Sequence, residues 1–161
     1  MNFKQLNKED YKKLMGTSDS ETNQNHLILR FLDFDFDPDL ISKKLQLEPM
    51  SSGLKGEEYF FGPQKQISKF RECNHWDYEW KNYSNDFIGD YIEKFFNEII
   101  IPRLDLIKEI SLDCKTIRFI IVQYYYTGHN PGYGFEKNQI KILADINAEV
   151  DMDIYCLNKD E

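Results

Sequence analysis

The sequence predicts an α+β fold, one open sheet of about five strands with helices packed mainly on one face. Three observations carry that expectation. Residues 26–36 and 116–126 are apolar on both strand faces, as central strands are. Residues 84–100 repeat their apolar positions at helical spacing behind a serine. The elements then follow in the order helix, β-α-β-β-α-β-α-β, which contains two strand–helix–strand units. A ferredoxin-like topology is one arrangement of that order, and the order of strands within the sheet is left open.

Element by element, Asn7, Glu9 and Asp10 offer a cap and an acidic first turn, and Tyr11, Leu14 and Met15 continue a short helix to Gly16. Residues 17–25 contain no apolar side chain and read as a flexible linker. Residues 1–25 are thus a helix plus linker, and 26–161 form a single domain. In the first strand Ile28, Leu32, Phe34 and Phe36 share one face, and Leu27, Leu29 and Phe31 the other. Asp37 and Pro38 then cap a short helix carrying Leu40, Ile41 and Leu45, which ends before Pro49. Residues 51–53 read as a loop and 58–61 as a strand, followed by a polar stretch to Asn74. Residues 75–81 alternate Trp76, Tyr78 and Trp80 with His75, Asp77 and Glu79, a strand with one buried face expected to pair with 58–61. Ser84 is the expected cap of the long helix. Pro102 interrupts that helix, and Leu104, Leu106, Ile107 and Ile110 continue a shorter piece. A Gly-rich loop at 128–134 leads to a helix around 137–145, and Val150, Met152, Ile154 and Cys156 mark the last strand.

Length and composition fit one domain: 161 residues, 41% hydrophobic and 15% aromatic, support a single sizeable core. Twenty Lys and Arg against 28 Asp and Glu give a net charge of −8. Residues 1–25 balance Lys4, Lys8, Lys12 and Lys13 against Glu9, Asp10, Asp19 and Glu21, so the excess belongs to residues 26–161. Such a field repels phosphate backbones and anionic lipid and speeds encounter with a basic protein, so neither nucleic acid nor membrane is an expected partner. Cys73, Cys114 and Cys156 are widely spaced and odd in number, without a CxxC pair, and read as reduced thiols. No apolar run approaches a membrane span and the N-terminus lacks a signal-like stretch, which predicts a cytoplasmic protein.

Several local runs carry a family resemblance. They are Phe-Asp-Pro-Asp-Leu-Ile at 36–41, Leu-Gln-Leu-Glu-Pro at 45–49, Lys-Gly-Glu at 55–57, His75-Trp76, and the helix exit and strand at 147–156. Together, over residues 26–156, they resemble the bacterial domain of unknown function 4279 family. That resemblance carries no reaction with it. Two departures stand out: Met50 replaces the threonine that usually follows the family's proline, and the tryptophan often preceding the Lys-Gly-Glu turn is missing near Gly53 and Leu54.

Three constellations can be weighed for chemistry. Asp33 and Asp35, with Asp37 behind them, follow strand spacing, as do Asp151 and Asp153. Were those strands adjacent, their carboxylates could converge on a divalent cation. As polar strand faces and a helix cap the same residues need no metal, and no EF-hand or phosphate-cradling loop accompanies them. His129, in the Gly-rich loop beside Asn130 and Tyr133, could act as an acid or base, yet no nucleophile motif supports it. Trp76 and Trp80 share a strand face that suits either core packing or a ligand groove.

The expectation is therefore a noncatalytic domain with no cofactor and no bound metal. It binds a basic protein partner, most concretely as an immunity protein that neutralises a bacterial toxin. The binding surface is expected at Asp33, Asp35, His129, Asn130, Tyr133, Asp151 and Asp153. The alternatives are a small-ligand-binding domain and a metal-dependent hydrolase.

Overall fold

The computed structural model describes residues 22–62, 67–126 and 132–157. In chain order its elements are β1 (Gln24–Leu32), α1 (Asp39–Leu45), β2 (Ser51–Gly53), β3 (Glu58–Phe61), β4 (Ile67–Phe70), β5 (His75–Tyr83), α2 (Ile88–Phe95), α3 (Leu104–Ser111), β6 (Thr116–Tyr125), α4 (Lys137–Asp145) and β7 (Ala148–Cys156). Strand β1 lies at the centre of a five-stranded sheet of order β2-β5-β1-β6-β7. It pairs antiparallel with both β5 and β6, whereas β7 runs parallel to β6 across the α4 crossover. The fold is α+β with an open mixed sheet. The β6–β7 pair is what separates it from a ferredoxin-like sheet, in which all neighbours are antiparallel.

Register decides which side chains meet. Leu27, Leu29 and Phe31 of β1 stand opposite Trp80, Tyr78 and Trp76 of β5, and opposite Ile121, Phe119 and Ile117 of β6. This face is covered by Ile41 and Leu45 of α1, Ile92 and Phe95 of α2, Ile107 and Ile110 of α3, and Ile142 and Leu143 of α4, in one continuous core. Trp76 is fully buried there. Its indole N–H donates to Ser42 Oγ at 2.9 Å, so the ring fills core volume without leaving a polar atom unpaired. Core packing, the first of the two readings of the aromatic strand, is the one Trp76 adopts, whereas Trp80 is half-buried against the core and also lines a second groove with Tyr91 and Lys94.

The long helical stretch follows its sequence closely. After α2 the backbone passes through a π-helical turn at Phe96–Ile100 and a 3-10 turn at Ile101–Arg103 before α3 begins. Pro102 has no N–H to give to the carbonyl one turn back. Arg103 compensates: its Nη1 donates to Glu98 O at 3.0 Å and Ile99 O at 3.1 Å, and its Nε to Leu45 O at 2.7 Å, tying this break to the end of α1.

Several local expectations need correction. β1 begins at Gln24, and Asn23 and Asn25 are buried, so the boundary expected at His26 falls inside the strand. The predicted N-terminal helix lies outside the described residues. β1 also stops at Leu32, because Asp33 takes φ 57°; the alternation of Phe34 and Phe36 belongs to a loop in which the two rings stack at 4.7 Å. Residues 51–53 are the strand β2, and the polar stretch before Asn74 contains β4. β3 pairs with β4 in a separate hairpin rather than with β5, because strand alternation fixes a face and not a partner. Ser84 closes a turn by accepting Asp86 N–H at 3.0 Å, and α2 starts only at Ile88. Asp37 does act as expected, its carboxylate accepting Asp39 N–H at 2.9 Å.

Two stability measurements follow. Trp76→Ala should cost about 3–5 kcal/mol in urea unfolding, against about 0.5 kcal/mol for Phe70→Ser on the exposed hairpin. Arg103→Ala should cost about 1–3 kcal/mol, since the three carbonyls lose a charged donor at once. An Arg103→Ala midpoint equal to that of the unchanged protein would remove the role given to its guanidinium.

Candidate functional site

The face of the sheet opposite the helices carries polar side chains in cross-strand rows. In one row Asp77, Arg30, Arg118 and Glu149 lie successively on β5, β1, β6 and β7. Arg30 grips Asp77 with Nε and Nη2, at 2.8 and 2.7 Å, and Arg118 meets Glu149 at 2.9 Å. The Asp77 side chain is only 4% exposed. Its hydrogen bond raises the Arg30 pKa against the opposing effect of burial. A second row sets His26 Nδ1 against Glu79 at 2.7 Å, and Lys81 approaches Glu79 at 3.1 Å.

Beyond β2 and β5 the β3–β4 hairpin rises beside this face and encloses a groove of about 670 Å³. Its floor is the Arg30–Asp77 pair with His75 and Ser51, and its wall is Tyr59, Phe60, Lys69, Phe70 and Arg71. The family-like runs hold that wall in place. Gly56, at φ 84°, makes the turn that lets Gly56 N–H reach Arg71 O and Arg71 N–H reach Glu57 O, both at 2.9 Å. Asn74 joins the same turn to the end of β1: its Oδ1 accepts Lys55 N–H at 2.7 Å, its Nδ2 donates to Phe34 O at 2.7 Å, and its carbonyl accepts Asp33 N–H at 2.9 Å. The Arg71 guanidinium stacks 4.9 Å from the Tyr59 ring centroid. A side chain at Gly53 would place its Cβ 2.5 Å from Arg71 Nε, so the missing side chain makes room for this arginine.

His75 is the titratable centre of the groove. Burial holds its pKa below the ordinary histidine value, and Arg71 beside it pushes in the same direction against the pull of Asp77. The ring places Nε2 2.9 Å from Ser51 Oγ and 3.0 Å from Arg71 Nη1, which also lies 3.3 Å from Nδ1. Arg71 Nη1 is within reach of both ring nitrogens and so of whichever one carries the lone pair, and the Ser51 contact therefore differs from a pair built for proton abstraction.

Those of the expected site residues that are described do not form one surface. Asp33 has left the strand and meets Lys115 at 3.3 Å, and Asp35 stands exposed in the following bend, so the two do not share a strand face. Asp151 and Asp153 do share an exposed face of β7, but β6 separates β7 from β1, and the adjacency that a four-carboxylate cation site needs is not met. Among the described residues no three His, Cys, Asp or Glu side chains are grouped to hold a metal ion. His129 and Asn130 lie outside the described residues. Tyr133, expected as an anchor on an open loop, is instead half-buried against the core, where its hydroxyl donates to Gln123 Oε1 and Gln123 Nε2 donates to Asn25 Oδ1 at 2.6 Å. Burial pushes the Tyr133 phenol up to about 12, which keeps it a donor in that chain. Sequence reasoning passed over Arg30, Lys69 and Arg71. The available signal was the lone arginine inside the apolar run Leu-Ile-Leu-Arg-Phe-Leu.

The outer edge of β7 is the second exposed feature. Among the described residues no strand pairs with it. Val150, Met152 and Ile154 are 41%, 40% and 40% exposed at alternate positions, with Glu149, Asp151 and Asp153 between them. Among the described residues no helix is long and apolar enough to cross a membrane.

The sequence model of the family described as Domain of unknown function (DUF4279) matches residues 21–157, which takes in every element from β1 to β7. No curated protein and no solved structure matches the chain.

The His75 environment sets a pH dependence. A histidine whose folded pKa lies below its unfolded value of 6.5 stabilises the fold above that value, and the contribution is lost as pH falls through it toward the folded pKa. In calorimetric melts at about pH 7.5 and about pH 5.5, the unchanged protein should lose more stability on acidification than His75→Gln. The gap in Tm between the two should narrow. A gap that stays constant or widens would show that His75 is not held neutral.

Proposed function

We propose that this chain, which belongs to the family described as Domain of unknown function (DUF4279), is a noncatalytic protein-binding domain. In this reading it receives a strand of a basic partner on the outer edge of β7, and it serves as the immunity protein that neutralises a bacterial toxin. The observation that carries the reading is that edge: a nine-residue strand, unpaired on one side among the described residues, with alternating exposed apolar and acidic side chains. Open edges offer main-chain hydrogen bonds for strand addition, and the side chains then select the partner. The fitting strand alternates apolar and basic residues. A second copy of the same edge fits worse, because Glu149, Asp151 and Asp153 would face like charges. The net charge of −8 supports steering of a basic partner over longer range. Of the residues expected from sequence, Asp151 and Asp153 stay in the proposed surface, and Asp33, Asp35 and Tyr133 leave it.

Coexpression with the toxin encoded beside the gene should rescue growth, and the purified pair should associate more slowly as salt rises. Asp151→Lys combined with Asp153→Lys should slow association at low salt by about tenfold or more and abolish rescue, at an unchanged melting temperature. Full protection by that double variant would end the β7 reading, and absence of both binding and protection would end the immunity reading.

A further inference from the structure

We propose that the groove between the β3–β4 hairpin and the open sheet face binds a small aromatic acid, its carboxylate or phosphate held by Arg30 and Arg71 and its ring set against Tyr59. This site is separate from the outer edge of β7, from which β1 and β6 divide it, although Asp151 of that strand is near enough to act on Arg30 through its charge.

The groove's volume, about 670 Å³, falls in the range of small-molecule sites, roughly 300–1,000 Å³. Its charge runs against that of the molecule. Arg30, Lys69 and Arg71 face it with only Glu72 and Asp77 in return, in a chain of net charge −8. Asp77 is committed to Arg30 Nε and Nη2, which leaves the Nη1 of that guanidinium without an acceptor among the described residues. Arg71 spends Nη1 on His75 and lies 3.8 Å through Nε from Glu57, and its Nη2 likewise has no acceptor among the described residues. Lys69 has no carboxylate partner there and rests only over the Phe61 ring, at 5.0 Å.

These donors are held before any ligand arrives. The ion pair fixes Arg30, while the Tyr59 stack and the backbone pairing with Gly56 and Glu57 fix Arg71. Preorganised guanidinium groups suit the planar carboxylate and the phosphate alike. Tyr59 shares its hairpin face with Lys69 and Arg71, and its ring supplies the apolar surface that an aromatic body would cover. The anion alone would leave that surface wet, so the ring is part of the specificity.

Benzoate, phenyl phosphate and inorganic phosphate should be titrated separately into the full ¹⁵N-labelled chain and followed by amide chemical shifts. Saturable shifts confined to β3, β4, β5 and the Arg30 end of β1 are expected with benzoate, phenyl phosphate or both, and their ratio identifies the preferred anion. Arg71→Met should weaken binding by about tenfold or more, and Lys69→Met should weaken it less. Lys115→Met, outside the groove, should change nothing. Arg30→Gln strips the buried Asp77 of its partner and can fail to fold, so the decision rests on the Arg71 and Lys69 variants, whose thermal melts report folding. The proposal is overturned by any one of three outcomes: no saturable shift with either aromatic acid up to about 10 mM, unchanged affinity in a folded Arg71→Met, or inorganic phosphate binding as tightly as phenyl phosphate.

Discussion

Everything in this fold follows from β1 being hydrogen-bonded on both sides by strands that arrive much later in the chain. Gln24 faces Tyr83 on one flank and Tyr124 on the other. The centre of the sheet therefore closes only after α1, the hairpin and the α2–α3 stretch have been laid down, and loop closure over such separations is costly until both pairings form. The aromatic contacts on the helix side answer that cost. Phe31 meets Trp76 edge-on at 5.6 Å, and Phe119 meets both Phe95 and Phe96 within 5.6 Å, so each neighbour of β1 is held by ring packing as well as by its ladder. With β1 in the middle, the edges fall to a three-residue strand and to β7. The short edge has the hairpin beside it; among the described residues no strand pairs with the long one.

The same register produces the charged row on the open face. Arg30 and Arg118 are direct cross-strand partners, an arrangement that repels unless each has its own acid. Asp77 and Glu149 stand outside the two arginines and give acid–base–base–acid across four strands. The two ends differ. Glu149 is 61% exposed and its pair is screened, whereas Asp77 is 4% exposed and forms its ion pair with Arg30 away from water. The buried end is the one under the hairpin, so the rigid half of the row is also the floor of the groove. A pair locked by burial keeps its unused donor in a fixed place, which an exposed pair does not.

Much of this was legible in the sequence, and the limits have physical causes. The α+β class, the central positions of β1 and β6, the break at Pro102 and the one-faced aromatic strand came from apolar periodicity, which reports which face is buried. Periodicity does not report partners, so β3 was matched to β5 when its partner is β4, a strand reading Ile-Ser-Lys-Phe. Backbone sign is equally hidden: Asp33 turns the chain at φ 57°, and the Asp-Phe-Asp-Phe alternation after it imitates a strand. The groove was missed for the first reason. Arg30, Arg71 and His75 come together only through the β1–β5 register and the turn at Gly56, and none of them is near another functional type in sequence except Arg71 and His75 themselves. The Lys-Gly-Glu run was noticed as a turn, and its consequence, the anchoring of Arg71, is a tertiary fact.

Two surfaces of opposite local character then share one net charge, and screening sets which part of each encounter that charge controls. At physiological ionic strength the Debye length is about 8 Å, longer than a hydrogen bond and shorter than the protein. A basic strand approaching β7 feels the summed negative field and, on contact, the same sign from Asp151 and Asp153, so approach and docking act together. An anion approaching the groove feels the field oppose it until it is within reach of Arg30 and Arg71, where the sign reverses. Added salt therefore hinders both stages at β7. At the groove it eases the approach while weakening the final contact, and the two effects offset one another. Salt response separates the two surfaces without any knowledge of the natural ligand, because it depends on where the charges lie and not on what they bind.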